Sequence, residues 1–114
     1  MPVYLNPYMS KTNAEEMVVV AELIEKYQLN TKKFTSDRNS ILIHDNHVIG
    51  LSILGTSDHS FINSLSSFSF LEELYLYQNG LSQIPELTNC HVLKKLGLGG
   101  NKITKISGLN SLTQ

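Results

Sequence analysis

The side chains of this sequence that could do chemistry fall in a few short stretches. His44 and His47 flank Asp45-Asn46, and His59 follows Asp58. A metal site needs three or four such ligands converging on one point. The first pair flanks a predicted solvent-exposed turn, and no spacing fixes a third ligand beside it, so a turn with polar flanks is the reading. Cys90 precedes His91, but a reactive thiol needs a basic, exposed setting. Cys90 instead falls on a periodic apolar position, where a cysteine packs as a small apolar residue. The run 97-GLGGNK-102 is rich in glycine yet lacks the lysine-serine or lysine-threonine ending of a phosphate loop and leads into no helix. No nucleophile stands beside a base. The sequence therefore predicts no catalytic, metal or cofactor site, and the chain is not expected to be an enzyme.

Composition narrows the classes further. A chain of 114 residues with 41% hydrophobic and 17% charged residues reads as one domain with room for a sizeable core. A net charge of −1 gives no electrostatic reason to expect nucleic acid or an anionic membrane as partner. One cysteine forms no internal disulfide, which favours a reducing compartment. The start, MPVYLNPYMSK, lacks the basic and apolar regions of a signal peptide, and no stretch approaches membrane-spanning length. A cytoplasmic protein is the expectation.

The elements that must position these residues begin with a helix over about 13–28. Thr12 and Glu15 fit a capping box, and Met17, Val20, Ala21, Ile24 and Tyr27 share one helical face. Glu22 and Lys26 are spaced for an i,i+4 ion pair. The Val18-Val19-Val20 run argues mildly the other way, because branched side chains crowd a helix. Leu29 to Ser40 is polar and reads as a loop. Two β-rich runs then flank Asp45-Asn46, a pair that tolerates left-handed backbone, which predicts a hairpin whose first strand is about 41–44.

The last part of the chain repeats itself. With a shift of 22, Leu71 aligns with Leu93, Leu74 with Leu96, Leu76 with Leu98, Asn79 with Asn101, Leu81 with Ile103, Ile84 with Ile106, Leu87 with Leu109 and Cys90 with Leu112. The pattern LxxLxLxxNxLxxLxxL resembles leucine-rich repeats, in the short, 22-residue class of phosphatase-regulator-type proteins. A weaker copy precedes it: Val48, Leu51 and Ile53 stand at the strand positions, but Thr56 holds the asparagine place and Asp58 the next apolar place. The unit has a physical logic. Leu74 and Leu76 alternate inward on a strand while Glu73 and Tyr75 point out. Asn79 is expected to enter the interior and bond the backbone of its own and the next unit. Leu81, Ile84 and Leu87 return along the far side, where Pro85 disfavours a long helix.

What the resemblance implies is an α/β fold, a short right-handed solenoid with a parallel sheet on its concave face. Residues 1–47 would form a helix-plus-hairpin cap, followed by a degenerate repeat at 48–70 and regular ones at 71–92 and 93–114. The family's repeats act as recognition surfaces, so the implied role is that of a scaffold binding a protein partner on the concave face. Register places Gly50, Glu73 and Lys95 in one row, then Ser52, Tyr75 and Gly97, then Leu54, Tyr77 and Gly99, then Gly55, Gln78 and Gly100. Ser52, Leu54, Glu73, Tyr75, Tyr77, Gln78 and Lys95 are the candidate binding residues, with Glu73 and Lys95 paired at the surface. The rings of Tyr75 and Tyr77 either offer themselves to a partner or lie over the glycines and shield the sheet. Another reading makes the chain a targeting or regulatory segment of a larger signalling protein or enzyme. A further expectation concerns the edge at Leu96, Leu98, Ile106, Leu109 and Leu112. Because the sequence stops at a repeat boundary, that edge would be uncapped and would homodimerise, take a cap from a partner, or belong to a fragment.

Overall fold

The computed structural model describes residues 10–104, with side chains described from residue 16 onward. Helix α1, Ser10–Tyr27, starts a turn earlier than expected and ends at a left-handed residue. Gln28 has φ 54°, and the N–H of Leu29 reaches back to the carbonyl of Ile24 at 3.2 Å, the bond that closes a Schellman end. The helix buries Glu16, Val20, Leu23 and Tyr27. Ala21 is exposed, so the buried stripe is rotated from the expected one. Its first member is a carboxylate, which hydrophobic periodicity cannot flag. Lys26 does not face Glu22; it pairs with Asp58 at 2.9 Å and donates to Ser60 Oγ at 2.5 Å.

Strands β1 (Ser40–His44) and β2 (His47–Ser52) form the expected antiparallel hairpin. Asp45 and Asn46 have φ 52° and 63°, the left-handed pair that a two-residue turn matching the strand twist requires. Strands β3 (Glu73–Tyr75) and β4 (Lys95–Gly97) then add in parallel, so the sheet runs β1-β2-β3-β4. Gly50 pairs with Glu73 and Glu73 with Lys95, which are steps of 23 and 22 residues (73 minus 50, 95 minus 73).

Between β2 and β3 the chain returns through a 3₁₀ segment, Ser60–Ser67, which buries Phe61 and Leu65. Asp58, the residue out of pattern in the weak copy, explains itself here. Its Oδ1 accepts the N–H of Ser60 at 2.9 Å, and its Oδ2 takes Lys26. These bonds, the Ser60 N–H first and then Lys26, hold its carboxyl well below the usual carboxylate range. Between β3 and β4 the chain returns without helix, with Leu81, Ile84, Pro85, Leu87 and Cys90 buried. The core is one cluster from Val20 and Leu23 through Leu51, Phe61 and Leu74 to Leu87 and Leu93.

Asn101 bonds its own unit as expected, through Leu98 O, but the bonds between units run to the preceding unit and not to the next. Asn79 donates to Ile53 O at 2.8 Å and accepts from Thr56 N at 2.9 Å, so its partners lie in the unit before it. Asn101 does the same on a larger scale. It donates to Leu76 O and Leu98 O at 2.7 and 2.8 Å, and accepts from Asn79 N and Leu81 N at 2.9 and 3.0 Å. That uses all four hydrogen-bonding positions of the amide without any following unit.

Candidate functional site: the exposed face of the sheet

Leu74 and Leu76 are fully buried, so the alternating Glu73, Tyr75 and Tyr77 stand on the opposite face of the sheet, each half-buried. Tyr75 and Tyr77 stack with ring centroids 6.0 Å apart and planes 22° apart. A third ring joins them that the sequence reading passed over. Phe34, in the loop between α1 and β1, lies 6.0 Å from Tyr75 with planes 33° apart. Such offset arrangements are favourable for aromatic pairs. The result is a row of rings, Phe34–Tyr75–Tyr77, crossing the sheet.

Glycines floor both ends of the row. A Cβ on Gly50 would come within 2.7 Å of the Phe34 ring, and one on Gly97 would overlap the Tyr77 ring and hydroxyl. Any larger residue at either place would lift the ring off the sheet. Both readings of the tyrosines thus have a part in the geometry: the rings cover glycines, and they keep exposed area. Tyr75 is further tied down, its hydroxyl donating to Glu73 Oε1 at 2.6 Å. That bond, with burial second, pushes the Tyr75 pKa up to about 12.

The other candidate residues divide. Ser52 is 0% exposed, not solvent-facing. The loop carrying Phe34 lies over it, and its hydroxyl donates to Ser36 O at 3.4 Å. Leu54 is half-buried, and its N–H bonds Asn39 Oδ1 at 2.8 Å. Lys95 is exposed but does not pair with Glu73, which is engaged by Tyr75; the lysine–glutamate pair that forms is Lys94–Glu72, at 3.5 Å. Gln78 is exposed with φ 59°, and its row-mates Gly55 and Gly100 have φ 65° and 73°. This row is where the chain turns away after β2, β3 and β4 through left-handed backbone, which accounts for the two glycines. Leu96 and Leu98 of the proposed edge are partly buried against the core, while Ile106, Leu109 and Leu112 lie outside the described residues.

The residues considered for chemistry have other engagements. Cys90 is fully buried, and burial pushes its thiol up to about 11. His47 is not a free flank of the turn. It is 19% exposed, stacks on Phe70 at 4.0 Å and bonds Glu16 Oε1 at 3.0 Å. Glu16, 1% exposed, also accepts the N–H of Val48 at 2.7 Å. His59 Nε2 meets Asn79 O at 2.6 Å, while His44 stays exposed beside Asp45. Among the described residues no group of three His, Cys, Asp or Glu could hold a metal ion, and no helix is long and apolar enough to cross a membrane.

Comparison with known proteins agrees with the register of the sheet. Residues 69–111 match a family model described as leucine rich repeats, in two copies. No curated protein and no solved structure gives a match. The matched span covers β3, β4 and the asparagines Asn79 and Asn101 that bond each unit to the one before, and over residues 69–111 the chain is similar to leucine-rich repeats.

Proposed function

We propose that this chain is a binding module that engages a protein partner through the exposed, concave face of its parallel sheet. Leucine-rich repeats generally mediate protein–protein interaction and are typically non-enzymatic. In this reading the repeats form a short right-handed solenoid of the 22-residue, phosphatase-regulator-like class. Helix α1 and the hairpin cap its first end and cover what would otherwise be an open strand edge. The observation that carries the proposal is the ring row Phe34–Tyr75–Tyr77, laid over glycine on an otherwise polar face. Aromatic rings supply large contact area at low entropic cost and dominate binding hot spots. Glu73 and Lys95, register partners on adjacent strands beside the rings, would set the orientation of what binds.

The test compares the wild-type chain with Tyr75→Ala/Tyr77→Ala in affinity capture followed by cross-linking mass spectrometry. The proposal expects the double variant to lose the captured protein while its melting curve stays cooperative. Cross-links that cluster on α1 or on the 3₁₀ side, or capture unchanged by the double variant, would overturn it.

A further inference from the structure

Among the described side chains, the carboxylates that are not exposed are those of Glu16, Glu72 and Glu73. The first two are answered. Glu16 meets His47 at 3.0 Å, and Glu72 meets Lys94 at 3.5 Å. Glu73 forms no ion pair among the described residues, although Lys95 is its register partner on the next strand. The hydrogen bond its carboxylate does make there comes from the Tyr75 hydroxyl, at 2.6 Å to Oε1.

That bond ties the carboxylate to the ring row. Tyr75 lies between Phe34 and Tyr77, 6.0 Å from each, with ring planes 33° and 22° apart. All three rings keep part of their area exposed. Aromatic faces are electron-rich and attract a cation within about 6 Å of the ring centroid. A half-buried carboxylate at the hydroxyl end of the middle ring adds a full negative charge to that attraction. Whatever settles on the rings also strips water from Glu73. An apolar anchor would leave its carboxylate short of hydrogen bonds, a desolvation cost that nothing from the anchor returns.

Building on the concave-face reading, we propose that the protein partner anchors on this row through an arginine side chain, stacked on the Tyr75 and Tyr77 rings and donating to Glu73. A guanidinium is planar, so it covers an aromatic face and still presents N–H donors along its edge. It is weakly hydrated, so leaving water costs it less than it costs an ammonium. A lysine brings the charge but no plane to stack. Lys95, exposed and in register with Glu73, opposes the incoming cation and weakens its binding.

The experiment is an amide-resolved NMR titration of the whole chain with N-acetyl-arginine amide at constant ionic strength. N-acetyl-citrulline amide keeps the shape without the charge, and N-acetyl-lysine amide keeps the charge without the plane. The proposal expects saturable shifts at Glu73, Tyr75 and Tyr77 with arginine, none with citrulline, and several-fold weaker binding with lysine. Glu73→Gln should weaken arginine binding about tenfold, and Tyr77→Leu several-fold. Lys95→Gln should tighten it several-fold, a change of opposite sign that loss of fold cannot imitate. Shifts that fail to saturate, appear equally with citrulline or survive Glu73→Gln overturn the proposal, as does lysine binding as tightly as arginine. Capture lost in Tyr75→Ala/Tyr77→Ala with no response to arginine removes the arginine anchor and leaves the concave-face reading standing. A response to arginine with capture unchanged by that double variant overturns the concave-face reading, and with it the assignment of the arginine to the captured partner.

Discussion

The amide oxygen of Asn101 accepts the backbone N–H of Asn79 at 2.9 Å, so each repeat asparagine is bonded into the unit before it. Asn101→Ala therefore strands the N–H groups of Asn79 and Leu81 and the carbonyls of Leu76 and Leu98. The expected loss is about 1–3 kcal/mol. Thr56, at the equivalent place in the weak copy, bonds only Asp58 through its hydroxyl near the surface, accepting its N–H at 3.1 Å and donating to its carbonyl at 3.4 Å. Thr56→Ala should cost under about 1 kcal/mol. Urea unfolding of both variants checks the ranking, and equal shifts in midpoint would refute it.

Gln78 occupies a left-handed position, φ 59°, that its row-mates fill with glycine. A non-glycine residue there costs about 1–2 kcal/mol relative to ordinary backbone. Gln78→Gly should raise stability by about 0.5–1 kcal/mol, the gain reduced by the greater freedom of glycine in the unfolded chain. Thermal melting reads this directly, and a drop in melting temperature would show that the side chain lying over Gly100 matters more than the strain.

Glu16 joins α1 to the hairpin through His47 and the Val48 N–H while almost wholly buried. Glu16→Ala removes the side-chain acceptor of that N–H and leaves a void, which together should cost about 2–4 kcal/mol. Glu16→Gln keeps an oxygen that can accept from Val48 and should cost less. Urea midpoints for the two variants decide it; an alanine variant within about 0.5 kcal/mol of wild type would mean the contact is dispensable.

The alkaline limb of stability should carry the signature of Cys90 and Tyr75. Both pKa values are raised in the folded state, from 9.0 to about 11 and from 10.0 to about 12. A raised pKa means the folded chain holds the proton more tightly, so the stabilisation is present in full below the unfolded value. It is lost as pH rises through the unfolded value towards the folded one. Unfolding midpoints should thus fall from about pH 9 upward. Cys90→Ala should flatten the fall between pH 9 and 11, and Tyr75→Phe the part above pH 10. At pH 8 the Cys90 thiol should resist a disulfide reagent until denaturant is added; prompt reaction in the native state would place the sulfur at the surface.

What the sequence by itself determined is the part governed by local periodicity. The 22-residue step, the inward leucines, the Asp45-Asn46 turn and the buried Cys90 all follow from alternation, spacing and turn chemistry. These depend on residues near one another in the chain or on one fixed shift along it. Only the tertiary structure decided which groups meet across long separations. Lys26 finds Asp58 in the 3₁₀ segment, because an exposed cation follows the nearest carboxylate in space and not along its own helix. Glu16 becomes a buried acceptor because the hairpin presents Val48 N–H and His47 to one place on the helix. Phe34 lies over Gly50, so a stretch read as a polar loop covers Ser52 and adds a ring to the exposed face. A single aromatic in a polar segment carries no period, and only the packing of the loop against the sheet gives it a neighbour.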